Sequence, residues 1–128
     1  MDAISLGVPE PILERLPADD ETAAADMQQA VAGWETKLNR AIEEADDDRD
    51  AAGRVLEAID RFERRYETYD ELVPELRAWG QSPIYAIGWR TLYADVIAQL
   101  YAHDDLGEHL DRERNMRLVE DGIRLQDL

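Results

Sequence analysis

The sequence is poor in the residues that most often carry chemistry. Among 128 residues it has no cysteine, two histidines, two serines and one lysine, Lys37. The absence of cysteine excludes disulfides and thiolate metal ligands. The seven glycines are isolated from one another, so no glycine-rich loop is available to cradle a phosphate. The longest stretch without a charged residue, 78–89, is interrupted by proline and glycine and is far shorter than the roughly 20 residues of a membrane helix.

The few chemically versatile residues do not form a recognisable site. His103 and His109 are not at the i, i+4 spacing of two metal ligands on one helix. Three aspartates in the run 46–50 have the spacing of the first ligands of an EF-hand calcium loop, but Ala51 stands where that loop needs glycine. Neither serine lies in a nucleophile-elbow motif. We therefore predict no catalytic residue, no metal site, no cofactor and no small-molecule substrate, and a protein that is not an enzyme.

Acidic residues outnumber basic ones by 30 to 14, which gives a formal net charge of −16 and a pI near 4.3. A surface of this sign repels phosphate, so we expect no direct contact with nucleic acid and none with a membrane. The acids are 16 aspartates and 14 glutamates, whereas the bases are 13 arginines and one lysine. This composition resembles that of proteins from salt-loving archaea, whose cytoplasm holds molar potassium salt. We expect an intracellular protein of such a high-salt cytoplasm, or a virion component assembled there.

Apolar residues recur at helical spacing along most of the chain, and no stretch alternates long enough to form a strand. We predict an all-α fold, a single-domain bundle over residues 1–128. It has four main helices at about 19–46, 50–71, 83–103 and 105–124, and short helices near 10–16 and 74–79. In the first two main helices the apolar residues fall on one face: Met27, Val31, Trp34, Leu38 and Ile42, then Val55, Ile59, Phe62, Tyr66, Tyr69 and Val73. Two such helices joined by a short polar loop form an antiparallel hairpin.

Capping patterns mark the ends of these helices. Pro74 is expected to end the second helix or to start a short one, because proline disfavours helical continuation. The predicted starts depend on Asp48 or Asp50 for the second helix, Ser82 with Pro83 for the third, and Asp105 with Glu108 as a capping box for the fourth.

The two C-terminal helices have unusual surfaces. Within 83–103 only Arg90 and Asp95 are charged, and the apolar residues cover an arc of about 140°. Such a helix lies at the centre of a bundle, or it also contacts another chain. In 105–124 the apolar residues fall on three faces, and arginines alternate with acids. Those arginines form intrahelical ion pairs or a docking face for an acidic neighbour.

The N-terminal segment 1–17 is a proline-bracketed apolar arm, and its start lacks the basic residues of a signal peptide, so we do not expect secretion by that route. We interpret the arm as a segment that reaches a partner. The expected partner contacts are Ile4, Leu6, Val8, Ile12 and Leu13 in the arm, and Tyr101, Arg112, Arg114, Met116, Arg117, Val119, Ile123 and Arg124 near the C-terminus.

These features favour a non-enzymatic structural or assembly subunit that works through protein–protein contacts, by self-association or in a larger complex. One concrete form is a connector or adaptor between the head and tail of a virus of salt-loving archaea, or a component of a cellular assembly. The alternative is an acidic regulatory protein that binds a basic protein partner or mimics DNA through the acidic helix 19–48.

Overall fold

The computed structural model describes the backbone of residues 1–126 and the side chains of residues 1–120. Within this part of the chain there are helices and no strands, so the predicted all-α bundle is confirmed. None of these helices is both long and apolar enough to cross a bilayer. The helices are α1 (Glu10–Arg15), α2 (Glu21–Glu44), α3 (Asp48–Ala78), α4 (Ile84–Tyr101) and α5 (Asp104–Gln126).

Helix α2 begins where an aspartate can hold its first turn. Asp20 is the N-cap, and its carboxylate accepts a hydrogen bond from the amide of Ala23 at 3.1 Å. The hydroxyl of Tyr85, in α4, donates a second bond to the same carboxylate. These bonds, that from Tyr85 first, lower the pKa of Asp20, and the carboxylate in turn raises the pKa of Tyr85. The N-terminus of α2 is thereby fixed to α4.

Helix α3 is the longest helix and continues through Pro74. The separate short helix expected at 74–79 is therefore wrong. Proline removes one amide donor and leaves the carbonyl of Asp70 without its helical partner. Both residues are exposed, so water can bond that carbonyl and the helix need not end. The end comes at Gly80, whose φ of 72° is the left-handed conformation that closes a helix, with the amide of Gln81 bonded to the carbonyl of Leu76 at 2.8 Å.

The other helix starts differ slightly from those expected. The N-cap of α3 is Asp47, whose carboxylate accepts a hydrogen bond from the amide of Asp50 at 2.8 Å. In α4, Pro83 is the N-cap residue rather than the first helical residue. The hydroxyl of Ser82 still accepts the amide of Ile84, although at 3.4 Å. Each start lies one residue from the nearest expected cap, which is within the usual variation of helix boundaries.

The central helix is α3, which packs against α2, α4 and α5. Helix α4 packs against α3, α5 and the short helix α1. Its wide apolar arc is therefore occupied by contacts within the chain, and Leu92, Val96 and Leu100 are fully buried there. Helix α4 thus also packs against three helices, in agreement with the expected central position, although α3 is the more extensively packed of the two. The long heptad of α3 gives it more packing surface than α4 has.

Aromatic rings join α2, α3 and α4 in a continuous cluster. Tyr93 lies at its middle, with its ring centroid 5.1 Å from that of Trp34 and 5.9 Å from that of Phe62. Tyr69 and Trp89 complete the cluster at 6.0 and 6.2 Å from Tyr93. Tilted and offset pairs at these distances are favourable for aromatic rings. The cluster fixes the relative positions of the three helices.

Candidate functional site

The N-terminal arm packs on its own chain. Ile4 and Ile12 are 3% and 6% exposed and belong to the hydrophobic core. Leu6, Val8 and Leu13 are partly buried against the same core. The expectation of partner contact is corrected for Ile4 and Ile12, because intramolecular packing leaves these two residues inaccessible in this fold, and it stays a prediction for Leu6, Val8 and Leu13.

Polar side chains of two helices hold the backbone of the arm. The amide group of Asn39, in α2, accepts from the backbone amide of Ile4 at 2.7 Å and donates to the carbonyl of the same residue at 2.9 Å. Gln99, in α4, makes the same pair of bonds to Gly7 at 3.0 and 2.9 Å. The arm has no neighbouring strand, so these side chains satisfy backbone groups that a sheet would otherwise pair. The sequence pattern could not show this, because it gives no sign of which amides face the arm.

Two more contacts complete the attachment of the arm. The carboxylate of Glu35 accepts the backbone amide of Leu6 at 2.8 Å. The Nε2 atom of His103, in the turn before α5, lies 3.0 Å from the carbonyl oxygen of Asp2. The arm is therefore bonded to α2, to α4 and to the junction between α4 and α5.

His103 also caps α5, in place of the expected capping box of Asp105 and Glu108. Its Nδ1 atom accepts the amide of Leu106 at 3.1 Å. In this arrangement Nδ1 is the acceptor, and Nε2 is placed to donate to the carbonyl of Asp2. The ring nitrogen supplies the acceptor that a serine or aspartate gives at most helix starts. His103 thus has a structural role that its spacing from the other histidine did not indicate.

Helix α5 leaves the core after about its first third. Up to residue 120, its last fully buried side chain is that of Leu110. Beyond it the inward face carries ion pairs to α3: Glu113 with Arg49 at 3.1 Å and Arg117 with Asp60 at 3.8 Å. Exposed pairs of this kind contribute at most about 1 kcal/mol each. Their main effect is to fix which side of α5 faces α3.

A side of this outer part of α5 that neighbours the side facing α3 is what we call the α5 outer face. It is a shallow depression of about 400 Å³. Met116 is 37% exposed and Val119 is 62% exposed, which leaves apolar surface open to solvent. The residues that form the α5 outer face are Arg112, Asn115, Met116, Val119 and Glu120. The structure therefore brings together three of the predicted contact residues on one face.

The remaining predicted contacts lie elsewhere. Tyr101 is partly buried against the core of its own chain. Arg117 is on the inward side of α5, in its ion pair with α3. Arg114 is exposed beside a separate hollow between α5 and α3. Ile123 and Arg124 lie outside the residues whose side chains the structure describes.

The arm, the bundle and the α5 outer face all lie within the part of the sequence that matches a known family. Residues 1–127 match a family of unknown function, DUF7971. The chain belongs to DUF7971. No curated protein and no solved structure matches it.

The acidic run of this DUF7971 chain is used to start α3. The carboxylate of Asp50 accepts the amide of Asp46 at 3.0 Å, and this bond, followed by the bond from Arg54, lowers the pKa of Asp50. His109 lies 3.6 Å from a carboxylate oxygen of Asp48. Among the side chains of residues 1–120, no group of three or more histidines and acids is placed to hold a metal ion.

A second surface of this DUF7971 chain was not found from the sequence. It is a groove between α2 and α3 lined by four cations: Lys37, Arg54, Arg61 and Arg65. Steps of seven and four residues place the three arginines on one face of α3, and this spacing was a signal that could have been read. The lysine belongs to another helix, so its position beside them depends on how α2 packs on α3.

Proposed function

We propose that this DUF7971 chain is a non-enzymatic helical subunit that works by self-association, and that the α5 outer face makes the contact. The observation that carries the proposal is the open apolar surface of Met116 and Val119, on the part of α5 that lies beyond the core. A helix that exposes apolar side chains beyond its own bundle has surface suited to bury against another chain.

The α5 outer face is complementary to itself. Arg112 and Glu120 lie four residues before and four residues after Met116. When two copies of α5 pair antiparallel about a twofold axis at Met116, the arginine of each copy lies opposite the glutamate of the other. Such self-complementarity is what a twofold interface requires. Met116 and Val119 then pack at its centre, where apolar residues contribute most to binding.

The charge of α5 also supports contact here. Residues 111–120 contain three acids, Asp111, Glu113 and Glu120, and three arginines, so the charges of this segment balance. Elsewhere the chain is strongly acidic, with a net charge of −16, and two copies repel each other. Copies therefore meet with least repulsion along α5. Molar salt weakens the remaining repulsion by shortening the Debye length to about 3 Å.

The finer proposal concerns the assembly to which the subunit belongs. A connector or adaptor of a virus of salt-loving archaea, or a cellular complex of such an organism, accords with the aspartate-rich, lysine-poor composition and with the small helical fold. That proposal rests on composition and fold class alone.

The test is the mass of the chain in solution, measured by light scattering on a size-exclusion column in ~1 M KCl, where surface repulsion is largely screened. We expect a mass that is a multiple of the monomer's 14.6 kDa. The variants Arg112→Glu and Glu120→Arg should each shift the population toward monomer, because each places like charges opposite one another. The double variant should restore the assembly. Arg64→Glu, an equal charge change at an exposed position of α3, is the matched control.

Failure of the double variant to restore the assembly would contradict the twofold pairing of α5. A monomer at every concentration would contradict self-association itself. That result would favour the alternative proposal, an acidic regulator whose partner is a basic protein and whose recognition surface is the acidic exterior of α2.

A further inference from the structure

The groove between α2 and α3 has a lining whose charge is opposite to that of the molecule. It encloses about 410 Å³, within the range of small-molecule sites, which is roughly 300–1,000 Å³. Every charged residue that lines it is a cation, in a chain where acids outnumber bases by 30 to 14. We call it the cationic groove.

Three of the four cations of the groove are not paired with a carboxylate among the described side chains. Arg54 pairs with Asp50 at 3.3 Å, on its own helix. Among the side chains of residues 1–120, no carboxylate lies within 4 Å of the charged nitrogens of Lys37, Arg61 or Arg65. Four like charges around one hollow repel each other. The bundle does not need them there for packing, since its core is formed by apolar side chains.

The floor of the cationic groove is aromatic. Trp34, Phe62 and Tyr93 all line it, and the centroid of the Trp34 ring lies 5.0 Å from that of Phe62. Phe62 and Tyr93 are buried, whereas Trp34 is only partly buried, so part of its indole remains accessible. Accessible aromatic rings provide flat surfaces on which planar ligands stack.

Tyr93 adds a polar group to this floor. Burial, and after it the neighbouring Tyr69, raise the pKa of Tyr93, while the charge of Arg65 acts in the opposite direction. Its hydroxyl is thus a neutral donor near a guanidinium. Among the described side chains, no protein group is hydrogen-bonded to the hydroxyl of Tyr93. Because every fully buried polar side-chain atom there has a partner, this hydroxyl is not fully buried. The hydroxyl is therefore available to a ligand.

We propose that the cationic groove binds a small anion that carries a planar ring, of the nucleotide class. The ring stacks on Trp34, and the phosphates are held by Arg61, Arg65 and Lys37. Guanidinium groups bond phosphate oxygens in pairs, and lysine adds a point charge, so the two residue types together suit a phosphate chain. The volume accommodates one such ligand and not a folded partner. This site is a binding site that is independent of the α5 outer face.

The experiment is isothermal titration calorimetry of the full chain with ATP, AMP, adenosine and tripolyphosphate. It is run at the lowest KCl concentration that keeps the circular dichroism of the folded protein, because salt screens phosphate contacts. We expect one ATP per chain, with adenosine and tripolyphosphate each at least about tenfold weaker, since each lacks one of the two recognised parts. ATP should also quench the tryptophan fluorescence, and this quenching should disappear in Trp34→Phe.

Variants locate the site. Arg61→Gln with Arg65→Gln should weaken ATP binding by roughly tenfold or more, because two charged contacts to phosphate are lost. Arg64→Gln changes an exposed arginine on the same helix that does not line the groove, and it should leave the affinity unchanged. Circular dichroism establishes that each variant is folded.

Three results would overturn the proposal. The first is the absence of ATP binding at millimolar concentration, and the second is an equal loss of affinity in Arg64→Gln and in the groove variant. The third is a preference for an acidic peptide such as oligoglutamate over ATP, which would make the groove a peptide-binding surface.

Discussion

Replacing Asn39 by alanine tests whether side-chain amides hold the N-terminal arm in the fold. The variant removes both hydrogen bonds to Ile4, at 2.7 and 2.9 Å. Each such bond contributes about 0.5–1.5 kcal/mol net, so the pair contributes about 1–3 kcal/mol. Alanine is the better helix former by up to about 0.7 kcal/mol, which offsets part of the loss. We expect Asn39→Ala to lower the free energy of unfolding by about 1–2 kcal/mol.

The assay is urea denaturation at one fixed KCl concentration, followed by circular dichroism. Gln29→Ala is the matched control, because Gln29 is an exposed amide on the same helix and should show only the small helical gain. A double-mutant cycle with Ile4→Ala makes the test specific. Ile4 is 3% exposed, and its truncation alone should cost about 2–5 kcal/mol.

The two substitutions should not be additive, because both loosen the same segment. The double variant should be more stable than the sum of the single effects predicts, by about 1 kcal/mol. Strict additivity, or an Asn39→Ala variant no less stable than Gln29→Ala, would refute the view that this amide seats Ile4 in the core.

Three other predictions follow from the packing, the titrating groups and the charge. A Cβ at Gly107 would lie 2.3 Å from the carbonyl oxygen of Tyr101. Gly107→Ala should therefore lower the free energy of unfolding, measured by urea denaturation, by about 1–3 kcal/mol. An unchanged denaturation midpoint would contradict this close approach. Because the pKa of Tyr85 is raised, its bond to Asp20 contributes fully below the ordinary tyrosine pKa and is lost as pH rises through the raised value. An alkaline absorbance titration should show the raised pKa of Tyr85. Asp20→Asn, which can still cap α2, should return the pKa of Tyr85 toward its ordinary value. An unchanged pKa in this variant would argue against the bond to Asp20 as the cause of the shift. The melting temperature should rise with KCl, because four arginine–carboxylate ion pairs are present among the described side chains whereas the chain has 30 acids; a flat profile would reject the salt-adapted interpretation.

The helical architecture could be predicted because each long helix has an apolar stripe of the right period. The prediction failed where a local rule competed with tertiary packing. Proline at position 74 is a strong local stop, yet α3 continues through it at a point where both Asp70 and Pro74 are exposed to solvent. His103 gives no capping pattern in sequence, since its acceptor nitrogen depends on the ring tautomer.

The candidate surfaces were predictable only in part. The spacing of Met116 and Val119 placed them on one helical face, and the structure leaves both exposed. The apolar residues of the arm have the same appearance in sequence whether they contact a partner or their own core. Only the positions of Asn39 and Gln99 distinguish the two cases, and these depend on the packed fold. The cationic groove needed the pairing of α2 with α3 for the same reason.

The attachments of the arm have a consequence for the order in which the chain can fold. Gly7 and its partner Gln99 are 92 residues apart, and Asp2 and its partner His103 are 101 residues apart. During synthesis, at about 5–20 residues per second, the arm therefore leaves the ribosome before these partners are made. The arm's apolar side chains therefore stay without their final neighbours until α4 and the turn before α5 have emerged. Closure of the arm is a late step, and it makes completion of the N-terminus depend on completion of the C-terminal helices.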